Sequence, residues 1–238
     1  MKKWFFIPAI LVTLLIPLLL VLTSIRLLIN PVFLDFEYGL KNFPPDEYGF
    51  TTEDRLNWGK KTLTYLVNSE SIEFLKNLRF DDGDSIYNER ELSHMQDVKD
   101  LVQLMIQIWL GGMALFIILA ILFWRTRQLG TYLKAISTGG WLTLGFIGLI
   151  LAGVMLDFDE LFAQFHHLFF TGDTWLFYST DTLIRLYPIK LWSDAFIFMG
   201  VSTILGSLIA IFSGGRLAQR LVNYSAASCG ASSFIILA

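Results

Sequence analysis

The sequence predicts an all-α membrane core of four transmembrane helices that carries a small mixed extracytoplasmic cap, and three observations lead there. Hydrophobic residues make up 54% of the 238 and charged residues only 16%, whereas soluble domains carry roughly a quarter charged residues. Four runs without a charged residue are each long enough to cross a hydrocarbon layer of roughly 30 Å at 1.5 Å per helical residue. The lysines and arginines that flank these runs fall on one side of the membrane if all four cross it. The net charge of -3 offers no basic surface for nucleic acid.

Taken in order, Lys2 and Lys3 precede an uncharged run from Trp4 to Ser24, with Arg26 beyond it. A secretory signal has an apolar region of about 7 to 15 residues and a small-residue cleavage site. Neither is present, so 4–29 reads as an uncleaved anchor and first span. The second span, 98–124, contains the uncharged run that begins at Leu101; the third, 134–156, runs from Ala135 to Leu156; the fourth is 195–213. Lys2-Lys3, the loop with Arg125, Arg127 and Lys134, and the tail 214–238 with Arg216 and Arg220 share one side, read as cytoplasmic. The opposite side receives 30–97 and 157–194, which hold nearly all the acids.

A cap is expected over 30–97, since a connection of about 70 residues is too long to be idle. Thr51-Thr52-Glu53-Asp54 resembles a capping box that opens a helix showing Leu56, Leu63, Leu66 and Val67. A second short helix is predicted near Ser71 to Leu78. Alternation over Val32 to Tyr38 predicts a strand. Phe43 to Gly49 and Asp81-Asp82-Gly83-Asp84 read as turns, and the second lacks the spacing and terminal glutamate of a calcium loop. The segment 157–194 is predicted as an interfacial loop dense in aromatics. The single cysteine, Cys229, falls on the cytoplasmic side and excludes an internal disulfide or a cysteine-rich zinc cluster; no metal and no cofactor is called for.

Two polar constellations interrupt this apolar chain on the outer side. In Arg90-Glu91-Leu92-Ser93-His94-Met95-Gln96-Asp97-Val98-Lys99, helical spacing gives His94 a carboxylate within reach on either side, Glu91 and Asp97. Such partners would fix one imidazole tautomer and raise its basicity. The other constellation joins Phe165-His166-His167-Leu168-Phe169-Phe170 to Asp173-Thr174-Trp175-Leu176-Phe177 and Asp181-Thr182-Leu183-Ile184-Arg185-Leu186-Tyr187-Pro188. All three histidines of the chain therefore lie at the outer interface.

These residues resemble two signatures of the lipoprotein intramolecular transacylase family of Gram-positive bacteria: R-E-x-S-H-M-x-D-V-K, and F-H-x-x-F-F followed by D-x-W-x-F and D-x-L-I-x-L-x-P. The resemblance runs from the first span to the fourth. It implies an enzyme that moves the sn-2 acyl chain of a diacylglyceryl lipoprotein to the α-amino group of its N-terminal cysteine, leaving the lyso form. Diacylglyceryl lipoproteins and membrane lipid would be its partners, and its site would face outward from a plasma membrane. The resemblance carries catalytic roles to His94 and to His166, which fills the histidine slot of F-H-x-x-F-F, in preference to His167. The tail after Arg220 departs from the family pattern and receives no role.

The chemistry follows from this reaction. Aminolysis needs a neutral amine, ordinarily with a pKa of roughly 7.7 to 8.0, and a protonated departing glycerol oxygen. Two imidazoles can divide these tasks, either as amine base with His166 preferred, and no protein nucleophile is required. Arg90 and Arg185 are expected to hold the oxyanion or substrate oxygens. Asp173, Trp175 and Asp181 are expected to support the site. The alternative is a non-enzymatic outer-face sensor or assembly module whose histidines answer to pH. A serine acyl-enzyme at Ser93 is disfavoured because neighbours one apart on a helix point in different directions. Spans without midplane charges argue against a transporter.

Overall fold

The computed structural model describes residues 3–172 and 174–234, and among these the regular structure is helical. In chain order the α-helices are α1 (Phe6–Leu28), α2 (Pro31–Tyr38), α3 (Thr52–Val67), α4 (Glu73–Lys76), α5 (Glu89–Arg125), α6 (Leu129–Leu156), α7 (Phe158–Phe169), α8 (Thr182–Leu186) and α9 (Ile189–Phe234). Four of them, α1, α5, α6 and α9, are long and apolar enough to cross a membrane. The predicted spans thus appear as helices, and the chain is a multi-pass membrane protein. Helices are what lipid demands, because they satisfy every backbone polar group internally.

Two compact units divide the chain. The first comprises residues 1–23, 109–150 and 200–238. Val12, Leu119, Phe123, Tyr132 and Ala135 form its buried cluster, while Leu14, Ile118, Leu149 and Ile209 are exposed, as suits a lipid-facing surface. Small residues let its helices approach closely. A Cβ on Gly139 of α6 would lie 2.6 Å from the Ile16 side chain and 2.8 Å from the Thr13 carbonyl oxygen of α1. Pro17, inside α1, has no N–H to occupy that carbonyl. Gly140 meets the Ser207 carbonyl oxygen of α9 in the same way, at 2.9 Å. The turn between α5 and α6 places Arg127 at φ 57°, and the Gln128 N–H closes the helix end on the Phe123 carbonyl at 2.8 Å.

The second unit comprises residues 24–108 and 151–199. Its core gathers Phe33, Leu34 and Tyr38 of α2, Tyr65 and Leu66 of α3, and Leu92, Met95 and Val102 of α5. Leu183, Leu186 and Tyr187 complete it from α8 and the residue that follows. The capping box of α3 forms as expected, with Thr51 and Asp54 bonded reciprocally. A short helix, α4, lies within the predicted stretch after Ser71. The acidic turn closes with Gly83 at φ 94° and the Asp84 N–H on Asp82.

The predicted strand is overturned. Residues 31–38 form α2, because Asn30 accepts the Val32 N–H as N-cap and Pro31 opens the first turn, a start signal stronger than the alternation. Phe33, Leu34, Glu37 and Tyr38 are its buried residues, a helical face and not a strand face. Among the described residues the cap therefore contains no strand, only the isolated bridge between Arg79 and Ser85. The predicted interfacial loop also holds two helices, α7 and α8. Asp157 caps α7 by accepting the Glu160 N–H, which fixes where that helix begins.

Side chains bind α3 to the α8 region. The Arg55 guanidinium, 3% exposed, donates to the carbonyls of Arg185 and Pro44 and lies over the Tyr38 ring. Tyr187 donates to the Gly59 carbonyl at 2.7 Å, and Tyr38 to that of Leu186. A Cβ on Gly59 would press on Leu34 at 3.2 Å, so only glycine leaves room for this contact without displacement.

Candidate active site

His94 and His166 come together in the second unit. Their ring centres are 6.2 Å apart and the rings are 25° from parallel, although 71 positions separate them in sequence. Each residue is only 8% exposed. His94 stands on the first turns of α5, ahead of the uncharged run that begins at Leu101. Its helical position one turn beyond buried Glu91 turns the imidazole inward. Phe170 and Phe177 meet that ring edge-on at 4.9 and 5.3 Å. His166 lies in the last turn of α7, against Phe162 at 4.2 Å and Trp175 at 4.8 Å.

The His166 tautomer follows from one bond. Its Nδ1 lies 2.8 Å from the Phe162 carbonyl oxygen, and a carbonyl only accepts, so Nδ1 carries the hydrogen. In the neutral ring Nε2 is then the acceptor, the nitrogen available to take a proton. His94 differs, because its Nδ1 is buried without a hydrogen-bond partner.

Burial sets the charge state of both rings. Desolvation, followed by the electrostatic influence of His166, lowers His94 from the usual 6.5 to about 4. Desolvation also lowers His166, opposed by its bond to Phe162. Both imidazoles are thus neutral near pH 7. A proton on one ring further disfavours a proton on the other, which suits a pair that handles one proton at a time.

The expected carboxylate support for His94 does not form. Glu91, 1% exposed, instead pairs with Asn88 in a capping box: the Asn88 N–H donates to Glu91 at 2.8 Å and the Glu91 N–H to Asn88 Oδ1 at 3.0 Å. The other carboxylate oxygen accepts the buried Leu183 N–H at 2.7 Å, tying α5 to α8. Burial raises its pKa despite these bonds. Asp97 and Ser93 are exposed. Asp181 accepts the side chains of Asn88 and Arg90 and the Tyr178 N–H, at 3.1, 3.1 and 2.8 Å. Glu91 and Asp181 therefore fasten the segment that carries Phe177 to the start of α5.

The two arginines each hold a carboxylate. Arg90 pairs with Asp181 and lies over the Tyr178 ring. Arg185 pairs with Asp46 at 2.9 Å and stacks 3.3 Å above the Phe50 centroid. Asp173 lies outside the described residues. His167 is exposed and touches Trp175 edge-on at 5.2 Å. Trp175 itself has its Nε1 buried without a partner.

Sequence reasoning missed Phe162, Phe170 and Phe177 as walls of the imidazole pair. Phe170 and Phe177 stood inside the quoted signatures, but aromatics there are equally expected at headgroup level. Asn88 was also missed, although Asn-x-x-Glu before an apolar run is a legible capping signal. Among the described residues no group of three histidine, cysteine or acidic side chains is placed to hold a metal.

Comparison with known proteins bears on the fold and the family. A family model described as lipoprotein intramolecular transacylase Lit matches residues 10–192. An uncharacterised protein of Aquifex aeolicus (strain VF5) is 30% identical over 198 residues, covering 80% of this chain and 85% of that one. The in meso structure of the membrane integral lipoprotein intramolecular transacylase Lit from Bacillus cereus superposes with a TM-score of 0.78. That likeness covers 94% of this chain and 99% of the other at 18% identity. A variant of the same Bacillus cereus protein matches with a TM-score of 0.70, covering 93% of each chain at 18% identity. At these identities the solved structures establish the fold, and the family model, which spans well over half of the sequence, establishes the relationship. The chain belongs to the lipoprotein intramolecular transacylase family.

Proposed function

We propose that this protein moves the sn-2 acyl chain of a diacylglyceryl lipoprotein onto the α-amino group of the same lipoprotein's N-terminal cysteine, with His94 and His166 as the acid and base. The observation that carries the reading is the buried imidazole pair, one member of which is held as the Nδ1–H tautomer by Phe162. The neutral amine attacks the ester carbonyl carbon, and His166 Nε2 takes the proton that the nitrogen loses as the new bond forms. Collapse of the tetrahedral intermediate breaks the bond to the glycerol oxygen. The imidazole pair returns one proton to that oxygen, with His94 on the leaving-group side, so the products are an amide and a free sn-2 hydroxyl and both rings end neutral.

Amine and ester belong to one molecule, so the site has only to hold them together. Well-oriented intramolecular reactions reach effective molarities of roughly 10⁵ to 10⁸ M. Glu91, Asp181 and Arg90 serve as positioning residues that fasten the aromatic wall to α5. The arginine and lysine flanks support cytoplasmic termini and an extracytoplasmic site.

A reporter lipoprotein expressed with this protein, in cells lacking other N-acyltransferases, tests the reading by mass spectrometry of its N-terminal lipopeptide. Unchanged total mass with one acyl moved from O-linked to N-linked fragments is expected, lost in His94→Ala and His166→Ala. A gain of one whole acyl mass would mean an external lipid donor. Unaltered fragments would return the histidines to a sensing or assembly role.

A further inference from the structure

The transfer just proposed builds negative charge on the acyl carbonyl oxygen, and some donor has to meet it. Both arginines expected for that task hold carboxylates: Arg90 pairs with Asp181, and Arg185 pairs with Asp46 and stacks on the Phe50 face. The His166 N–H is committed to the Phe162 carbonyl. An indole donor without a partner stands beside the imidazole pair. The Trp175 indole lies 4.8 Å from the His166 ring, inclined by 31°, and its Nε1 is buried with no hydrogen-bond partner.

A buried donor left unpaired is unfavourable, and indole N–H groups in protein interiors usually have an acceptor. The aromatic walls around this one, His166 and the edge of His167, present faces and edges of rings. Substrate would supply the acceptor. The His94 ring is 6.2 Å and the Trp175 ring 4.8 Å from that of His166, so the second imidazole and the indole both neighbour the proposed base.

We infer that Trp175 is a catalytic residue whose Nε1–H donates to the acyl carbonyl oxygen and strengthens its hold as that oxygen becomes an oxyanion. The inference rests on the histidine reading above. As the amine nitrogen bonds to the carbonyl carbon, the carbonyl π pair moves onto the oxygen held by Nε1–H, while the amine proton goes to His166. When the bond to glycerol breaks, that pair reforms the carbonyl of the amide, and the leaving oxygen takes the proton back.

Two variants test it on a synthetic diacylglyceryl-cysteine peptide in detergent: Trp175→Phe, and replacement of Trp175 by β-(3-benzothienyl)alanine, which keeps the ring shape and substitutes sulfur for N–H. Loss of one oxyanion donor lowers kcat by about 10²- to 10³-fold in enzymes where it has been measured. A fall of that size in both variants, with KM within about twofold of wild type and the pH profile unmoved, is the expected result. The isostere also covers the case in which phenylalanine fails to fold. A benzothienyl variant that runs at the wild-type rate, while His166→Ala is inactive, overturns the Trp175 assignment and leaves the base assignment standing. Transfer retained by His166→Ala removes the base assignment and the Trp175 assignment with it.

Discussion

Replacing Glu91 by glutamine or leucine measures how firmly the site's wall is fastened. The wild-type carboxylate accepts two backbone N–H groups, from Asn88 at 2.8 Å and Leu183 at 2.7 Å. Bonds to a charged acceptor contribute roughly 1.5 to 3 kcal/mol each, neutral ones about 0.5 to 1.5. Glutamine has one carbonyl oxygen, and the buried Leu183 N–H claims it, because the exposed Asn88 can turn to water. The loss is then charge assistance at Leu183 and the bond at Asn88, partly offset because no buried charge has to be desolvated. A net destabilisation of about 2 kcal/mol is expected. Leucine leaves the Leu183 N–H unpaired and should be worse by a further ~1 to 2 kcal/mol. Thermal or denaturant unfolding of the purified protein in detergent gives both values.

Folding raises the Glu91 pKa above its ordinary 4.5, so around and above that pH the folded state binds more protons than the unfolded chain. Stability relative to the glutamine variant therefore declines with rising pH, and the penalty for glutamine is larger near pH 5 than near pH 8. A leucine variant as stable as wild type, or a penalty that grows with pH, would overturn this role for Glu91.

Four other outcomes follow from the same structure. The folded His94 pKa of about 4, against 6.5 when unfolded, makes its contribution complete above pH 6.5 and progressively lost as pH falls toward 4; His94→Ala should flatten the decline in unfolding temperature between pH 7 and pH 5. The transfer rate should rise as the substrate amine loses its proton near pH 7.7 to 8.0, with any histidine limb below 6.5, read from initial rates across pH. Gly139→Leu, forced against Ile16 and the Thr13 carbonyl, should cost about 1 to 3 kcal/mol or more in unfolding experiments, because overpacking a close helix contact displaces both helices. Arg185→Lys should lose the paired bonds to Asp46 and the stack on Phe50 and lower stability, while the folded enzyme keeps a kcat within a few-fold of wild type.

Much of the membrane unit was legible because lipid imposes a simple rule: about 20 apolar residues per helix, flanked by cations on one side. The cap obeys no such rule. Alternation over Val32 to Tyr38 imitated a strand, and the decisive signal was the Asn30-Pro31 start, two residues long. Both histidines could be found from their signatures, and their 6.2 Å separation is the product of packing between α5 and α7. The role of Glu91 was misread because helical spacing offered His94 and Asn88 as equally near partners, and only the fold presents the Leu183 N–H that settles its orientation. Arg185 looked available for chemistry because Asp46, its partner, lies 139 residues away. The uncommitted Trp175 N–H is a property of its surroundings, which no spacing pattern encodes.

In the proposed reaction the acyl chain moves from glycerol oxygen to the amine within one lipoprotein, through the His94 and His166 pair. This transfer is tested most directly by a crossover experiment with the purified protein in detergent. Two diacylglyceryl-cysteine peptides of different sequence are mixed, one carrying a deuterated sn-2 chain, and the N-acyl fragments are read by tandem mass spectrometry. Each peptide should keep its own chain, now on nitrogen, and His94→Ala and His166→Ala should yield no N-acyl product. Deuterated chains on the unlabelled peptide, or transfer that survives both substitutions, would contradict it.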